Sequence, residues 1–321
     1  MTEGRRQEDR TRRRITRHRR GITTDHLFLM FVVLVPFVAL LGIMVYPLGS
    51  SLVASFYSHR IFFPVEPYFI GLTNYLEALQ DSRFYDSLRV TSIFTAGTTL
   101  LTVGGGLLVA ALLNVEVLGH RIFGRDVLRS LILIPFVLSP AVIGAVGLAY
   151  LWNPRSGVAT LIVERLGFVA PPWLSQPDSA MFAVVVSESW IMFPLVVILL
   201  DAAMRAIPRS LYEAAELDGA SRWWSFTSVT LPLIVPQLLI VLVLRITSAW
   251  RSFDLIYMMT EGGPGRSTQT LSISIYTNLM RYGEFGYANA LSWIMVASLA
   301  IICGALIWIV GKRSIVLVGD K

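Results

Sequence analysis

Long apolar runs separated by short polar stretches dominate the chain. Leu27 to Gly49 carries no charged residue, and uncharged sequence continues to Ser58. At about 1.5 Å per residue, such a run crosses a ~30 Å hydrocarbon core as a helix. Pro36 is placed to kink it. Residues 59–89 follow as a polar loop, then uncharged runs at Val90–Val115 and Ser130–Pro154. A fourth span, roughly Met181–Met204, is interrupted by Glu188. A fifth begins near Pro232 or Pro236, reaches about Tyr257, and contains Arg245, Arg251 and Asp254. The sixth, Phe285–Gly311, is uncharged throughout. This pattern predicts an all-α membrane protein of six transmembrane helices, with both termini on one side. Gly97 and the run Gly104-Gly105-Gly106 lie inside an apolar helix, where close helix contact is the expected use of glycine rather than phosphate binding.

One polar interruption differs from the others. Pro208 to Pro232 reads PRSLYEAAELDGASRWWSFTSVTLP. Pro208 suits the first turn of a helix, where a missing N–H costs nothing. Leu211, Tyr212, Ala214, Ala215 and Leu217 recur at helical spacing, with Glu213, Glu216 and Asp218 on the other side. Gly219 is placed to take a left-handed conformation that ends this helix. Ser221 is placed to cap a second short helix carrying Trp223, Trp224 and Phe226. Periodicity alone leaves two readings of this knuckle: an amphipathic pair lying at headgroup level, or a docking surface for another protein.

Composition agrees with a membrane class: 55% of the 321 residues are hydrophobic, 15% are charged, and the mean hydropathy is +0.64. The single cysteine, Cys303, lies in an apolar run, so no internal disulfide is expected. His18, His26, His59 and His120 are scattered without metal-ligand spacing, and no metal site is expected. The only lysines are Lys312 and Lys321, and Leu306 stands where a phosphate-cradling G-x-x-x-x-G-K-[ST] loop needs its first glycine. ATP, if it drives this protein, must bind another polypeptide. No nucleophile–base pair suggests catalysis.

Residues 1–26 hold nine arginines against four acids and read as a cytoplasmic tail beside anionic headgroups, with no nucleic acid implied. The tail and following run do not form a cleavable signal peptide, because the apolar stretch is too long and lacks an A-x-A site. The six-helix domain covers 27–311, and 312–321 forms a second short tail. With the N-terminus inside, cytoplasmic segments carry 18 of the 27 Lys and Arg residues and external loops seven. That bias predicts a multi-pass protein of the cytoplasmic membrane with both termini cytoplasmic and the knuckle inside.

Glu213-Ala214-Ala215, three residues, Gly219, nine residues, Val229, one residue and Leu231-Pro232 resembles the EAA motif of permease subunits in ATP-binding-cassette importers, departing only by Val for Ile. Other segments resemble the carbohydrate-uptake branch, the maltose and glycerol-phosphate type: Tyr46-Pro47 with Ser55-Phe56, FIGLTNYLEALQD at Phe69–Asp81, FDLIYMMTEGGPGRST at Phe253–Thr268 and GYANALS at Gly286–Ser292. The resemblance implies a type I importer permease fold. It also implies a second homologous permease, two ATP-binding subunits that hold ATP and Mg, and an extracytoplasmic solute-binding protein. Under it the EAA segment is a coupling helix, with Glu213, Ala214, Ala215, Asp218, Gly219, Trp223, Trp224, Leu231 and Pro232 facing the ATPase.

Charges inside spans are costly and usually face a partner or a wet cavity. Glu188 and Arg245 stand near the midpoints of spans four and five, and two readings stand: a structural bridge between helices, or direct contact with solute. Thr247, Trp250, Arg251 and Asp254 fall at i, i+3, i+4 and i+7, one stripe of a helix. That stripe suits either a polyhydroxylated solute or an interfacial aromatic belt. Trp190 and Tyr257 are further candidates for the solute path. The functions in competition are a sugar-importer permease, a stand-alone ion-coupled carrier, and a membrane scaffold.

Overall fold

In the computed structural model, residues 30–114 and 139–319 are described. The N-terminal tail and the first nine residues of the expected third span lie outside them, as do Arg121, Arg125 and Arg129. Helix α1, Met30–Ala54, opens the described chain and buries none of its residues against the rest. It is tied only at its far end, where Ser51 Oγ donates to Asn289 Oδ1 and Ser55 Oγ meets Tyr75 Oη at 2.7 Å. Its apolar surface is what a lipid-facing helix needs.

A two-residue hairpin, β1 Tyr57–Ser58 against β2 Tyr68–Phe69, begins the first loop. Helix α2, Thr73–Gln80, clamps that hairpin: Asn74 Nδ2 donates to the Ser55 and Tyr57 carbonyls at 2.8 and 3.1 Å. Asp81 then caps α3 by accepting from the Arg83 N–H. Because the cap lies there, α3 runs Ser82–Leu113 and the loop ends earlier than the charge pattern suggested. A one-turn π segment, Leu100–Gly104, sits in its middle.

Of the third apolar run, α4 (Pro140–Val146) and a π turn at Gly147–Leu151 are described. The short helix α5, Val158–Arg165, precedes the long α6, Pro177–Arg205. The α3–α6 contact uses glycine for close helix approach. A Cβ on Gly106 would lie 2.7 Å from Val196 Cγ1, and one on Gly105 would lie 3.0 Å from the Phe193 ring. Helices in lipid gain little hydrophobic drive against each other, so close van der Waals approach holds this pair.

The knuckle follows as α7, Arg209–Leu217. The second short helix expected there is not separate. It opens at Arg222, passes through a π turn at Phe226–Thr230, and continues as α8 to Trp250. Helices α9 (Asp254–Thr260) and α10 (Leu271–Met280) lead to α11, Phe285–Gly319, which carries the helix beyond Gly311. Five described helices are long and apolar enough to cross a membrane: α1, α3, α6, α8 and α11 through Val310. Val196, Leu200, Ile234 and Val241 form one packed core, while Phe94, Val184, Ile191, Leu255 and Ile256 form another nearer the loop ends.

Candidate functional site

The knuckle is built by local rules. The Ala220 N–H donates to the Ala215 carbonyl at 2.9 Å and the Gly219 N–H to the Glu216 carbonyl at 3.0 Å. With Gly219 at φ +76°, these two bonds make a Schellman motif that stops α7 and satisfies its last carbonyls. Ser221 Oγ then accepts from the Trp224 N–H at 3.2 Å and caps the next helix. One long-range bond fixes the angle between the two arms: Tyr212 Oη to Thr230 Oγ1, 2.8 Å and buried.

Tyr212, Ala215, Ser225 and Thr230 are buried, while most of the segment from Arg209 to Trp224 faces out. Trp223 is 74% exposed, Trp224 51%, and Leu217 90%. Glu213, Ala214, Asp218 and Gly219 are exposed beside them, and Glu213 pairs with Arg209 at 3.4 Å across one helical turn. Leu231 and Pro232, by contrast, lie at the foot of α8, with Leu231 packed against the core that holds Val196 and Ile234. The exposure of Leu217 was not readable from its spacing, which placed it with the inward-facing positions. Leu217 is the last residue of α7, directly before the Schellman turn.

The membrane interior holds a second polar centre. Arg245 Nη1 lies 3.6 Å from Glu188 Oε1, and both side chains are buried. Arg245 Nε also donates to Thr102 Oγ1 at 3.3 Å, so three helices, α3, α6 and α8, meet at one guanidinium. Thr102 sits inside the π segment of α3, and the sequence reading did not include it. It also missed Asp201, a buried acid near the end of α6. Asn114 Nδ2 donates to that carboxylate at 2.7 Å, and Arg205 lies 3.4 Å from it one turn along. The i,i+4 spacing of Asp201 and Arg205 was the available signal.

The expected stripe of Thr247, Trp250, Arg251 and Asp254 does not exist as a helix face. Helix α8 ends at Trp250, Arg251 leaves helical geometry at φ −102° and ψ 4°, and Asp254 begins α9. The break lets Phe253 stack on Tyr257, ring centroids 5.2 Å apart, and reach Tyr276 at 5.0 Å. Aromatic packing thus overrides the helical period. Trp250 is buried with Leu271 and Leu291, and Thr247 Oγ1 lies 3.7 Å from Cys303 Sγ. Arg251 and Asp254 are exposed, Tyr257 is half-buried, and Trp190 is 50% exposed on α6. No group of three or more potential metal ligands occurs among the described residues.

Residues 102–313 match the family model described as "Binding-protein-dependent transport system inner membrane component". The trehalose/maltose transport system permease protein MalF of Thermococcus litoralis is 38% identical over 259 residues, covering 80% of this chain and 85% of that one. The sulfoquinovosyl glycerol transport system permease protein SmoG of Agrobacterium fabrum is 32% identical over 287 residues, covering 89% and 91%. Among solved structures, a bacterial alginate ABC transporter in complex with an alginate pentasaccharide-bound periplasmic protein shares the fold. Its TM-score is 0.76 at 21% identity, with 92% of this chain and 97% of that chain covered.

Proposed function

This chain belongs to the family of binding-protein-dependent transport system inner membrane components and is a permease subunit of an ATP-driven importer; we propose that it carries a sugar or related polar solute. It crosses the cytoplasmic membrane six times with both termini inside. It pairs with a second homologous permease, and the 208–232 knuckle seats in an ATPase subunit that binds the nucleotide. Sugar transport is supported by the trehalose/maltose and sulfoquinovosyl glycerol permeases to which the chain is similar. The solute path passes between spans, where Glu188, Arg245, Trp190, Tyr257 and the surroundings of Thr247, Trp250, Arg251 and Asp254 supply the polar and aromatic groups.

The observation that most supports coupling is the pair of tryptophans and Leu217 held out on a rigid, self-capped elbow. Exposed large apolar side chains on a polar segment mark an interaction site, and a buried aromatic anchor often contributes ~2 kcal/mol or more to an interface. A stand-alone ion-coupled carrier would leave this elbow without a use. The test is to purify the complex through this subunit and measure ATPase retention. Leu217→Asp together with Trp223→Ala should release the ATPase while leaving the permease pair intact. Full retention by that variant removes the coupling role.

A further inference from the structure

The corner between the third apolar run and α6 exposes the wrong face for a loop in water. Helix α5 buries Thr160 and packs Ala159 and Val163 against the core that holds Trp152 and Ile143. Val158, Leu161 and Ile162, at i, i+3 and i+4, are left exposed on the other side, and Leu166 continues that stripe. The outward face is therefore more apolar than the packed one. A second Schellman turn then stops the helix. The Phe168 N–H donates to the Val163 carbonyl at 3.1 Å and the Gly167 N–H to the Glu164 carbonyl at 3.0 Å, with Gly167 at φ +85°. Phe168 and Val169 follow it, both exposed, Val169 to 95%.

The depth of this corner can be read along α6. Its 29 residues make a helix of about 43 Å, longer than a ~30 Å hydrocarbon core. Asp178 is its last charge before Glu188, so the apolar core is entered just past Asp178. Trp152 Nε1 donates to Ser187 Oγ at 2.8 Å, about 15 Å along α6 from Pro177. The Trp173 ring lies edge-on to Trp152 at 5.1 Å and over Phe182 at 6.3 Å. Helix α5 hangs from these rings: Thr160 Oγ1 accepts from Trp173 Nε1 at 2.9 Å and donates to the Asn153 carbonyl at 2.9 Å. A loop in water would climb away from the start of α6, whereas this one dips below it. Phe182 is itself exposed on α6, so uncovered apolar surface continues from the span toward α5.

We propose that α5 and the turn after it are a membrane-interface anchor, lying against the leaflet remote from the knuckle at the boundary between acyl chains and headgroups. The apolar stripe meets the acyl chains, as in helices that lie in the interface plane. Arg155 precedes the helix and Arg165 ends it, and both are exposed. From there a guanidinium reaches headgroup phosphate while its stem stays on apolar surface. Lipid is favoured over a protein partner because the patch lies at bilayer depth and continues the exposed surface of a span. The anchor fixes the depth of the corner that sets Trp152 on Ser187, the residue before Glu188. It rests on the spans and not on the solute that is carried.

The experiment places nitroxide labels on single cysteines in the assembled complex, with Cys303→Ser and no cysteine in the other subunits. The complex is reconstituted in vesicles of phosphatidylethanolamine and phosphatidylglycerol, and label depth is read from collisions with oxygen against those with a water-soluble nickel chelate. Labels at Leu161→Cys and Ile162→Cys should lie about 5–10 Å below the phosphates. A label at Glu164→Cys should lie at or above them, and one at Glu66→Cys in water. Labels at Leu161→Cys and Ile162→Cys that read at the Glu66 level overturn the anchor. So do labels there closed to both reagents that cross-link to another subunit, which would make this face a protein contact. If a label at either position releases the complex, Val158→Cys and Leu166→Cys on the same stripe carry the same two outcomes. The depth reading is made without ATP or solute, so failure of the importer reading would leave it unchanged.

Discussion

The knuckle and the Glu188–Arg245 centre place charge in opposite ways. At the knuckle, Glu213 and Arg209 pair at 3.4 Å in the open, and the apolar Leu217 and Trp223 are what stand out. In the spans, Glu188 and Arg245 are enclosed by three helices, and no surface residue of either kind is involved. The exposed pair contributes little, since water competes for both partners. The buried pair is different: each ion is tolerable only because the other is present. The same two residue types thus act as solvated trim in one region and as a mutual requirement in the other.

Substitutions separate the two regions, from the largest effect to the smallest. Arg245→Ala leaves Glu188 buried without its counter-charge and should cost about 3–5 kcal/mol, seen as lost yield of folded protein. Arg165→Ala, on an exposed loop helix, should stay within about 0.5 kcal/mol of wild type. Equal behaviour of the two would erase the contrast. Glu188→Gln combined with Arg245→Gln should recover folding, and if transport returns as well, the pair is a structural bridge rather than a solute contact.

Gly106→Leu should overpack the α3–α6 contact by about 1–3 kcal/mol, because the added Cβ already meets Val196 at 2.7 Å. A drop in the thermal midpoint of the purified complex is the expected reading; an unchanged midpoint would mean the helices separate freely there. Gly219→Val tests the other region. Nothing lies within 4 Å of a Cβ at that position, so the effect is purely one of backbone conformation, about 1–2 kcal/mol. Folding and insertion should survive while solute-stimulated ATP turnover falls. Gly219→Asn, which tolerates the left-handed region, should keep most of the coupling. If Val and Asn behave alike, the elbow is only a surface turn.

Tyr212→Phe is the mildest. It removes the bond to Thr230 that sets the angle between the arms and should cost about 0.5–1.5 kcal/mol. Weaker ATPase retention with an unchanged membrane domain is expected. An unaltered retention would show that the capping bonds alone hold the angle.

The knuckle was legible because its devices are short-range. Gly219 at the stop, Ser221 at the cap and the Trp pair after it act within a few residues, and each is seen where the sequence predicts it. The outward swing of Leu217 was not legible, because helical spacing describes a face and not what remains to cover it. The helical stripe from Thr247 to Asp254 failed for a related reason. Periodicity presumes an unbroken helix, whereas Phe253 leaves it to pack on Tyr257 and Tyr276.

Apolar run length, glycine and cap placement and the EAA spacing by themselves determined the membrane class, the helical architecture and the family. Those signals are local or additive along the chain. Only the tertiary structure decided that Arg245 meets Glu188 and Thr102 together, that Gly105 and Gly106 receive Phe193 and Val196, and that the Arg266 guanidinium reaches the Arg83 carbonyl. These contacts join residues far apart in sequence, and their partners are selected by how closely whole helices approach, a quantity that no single segment encodes.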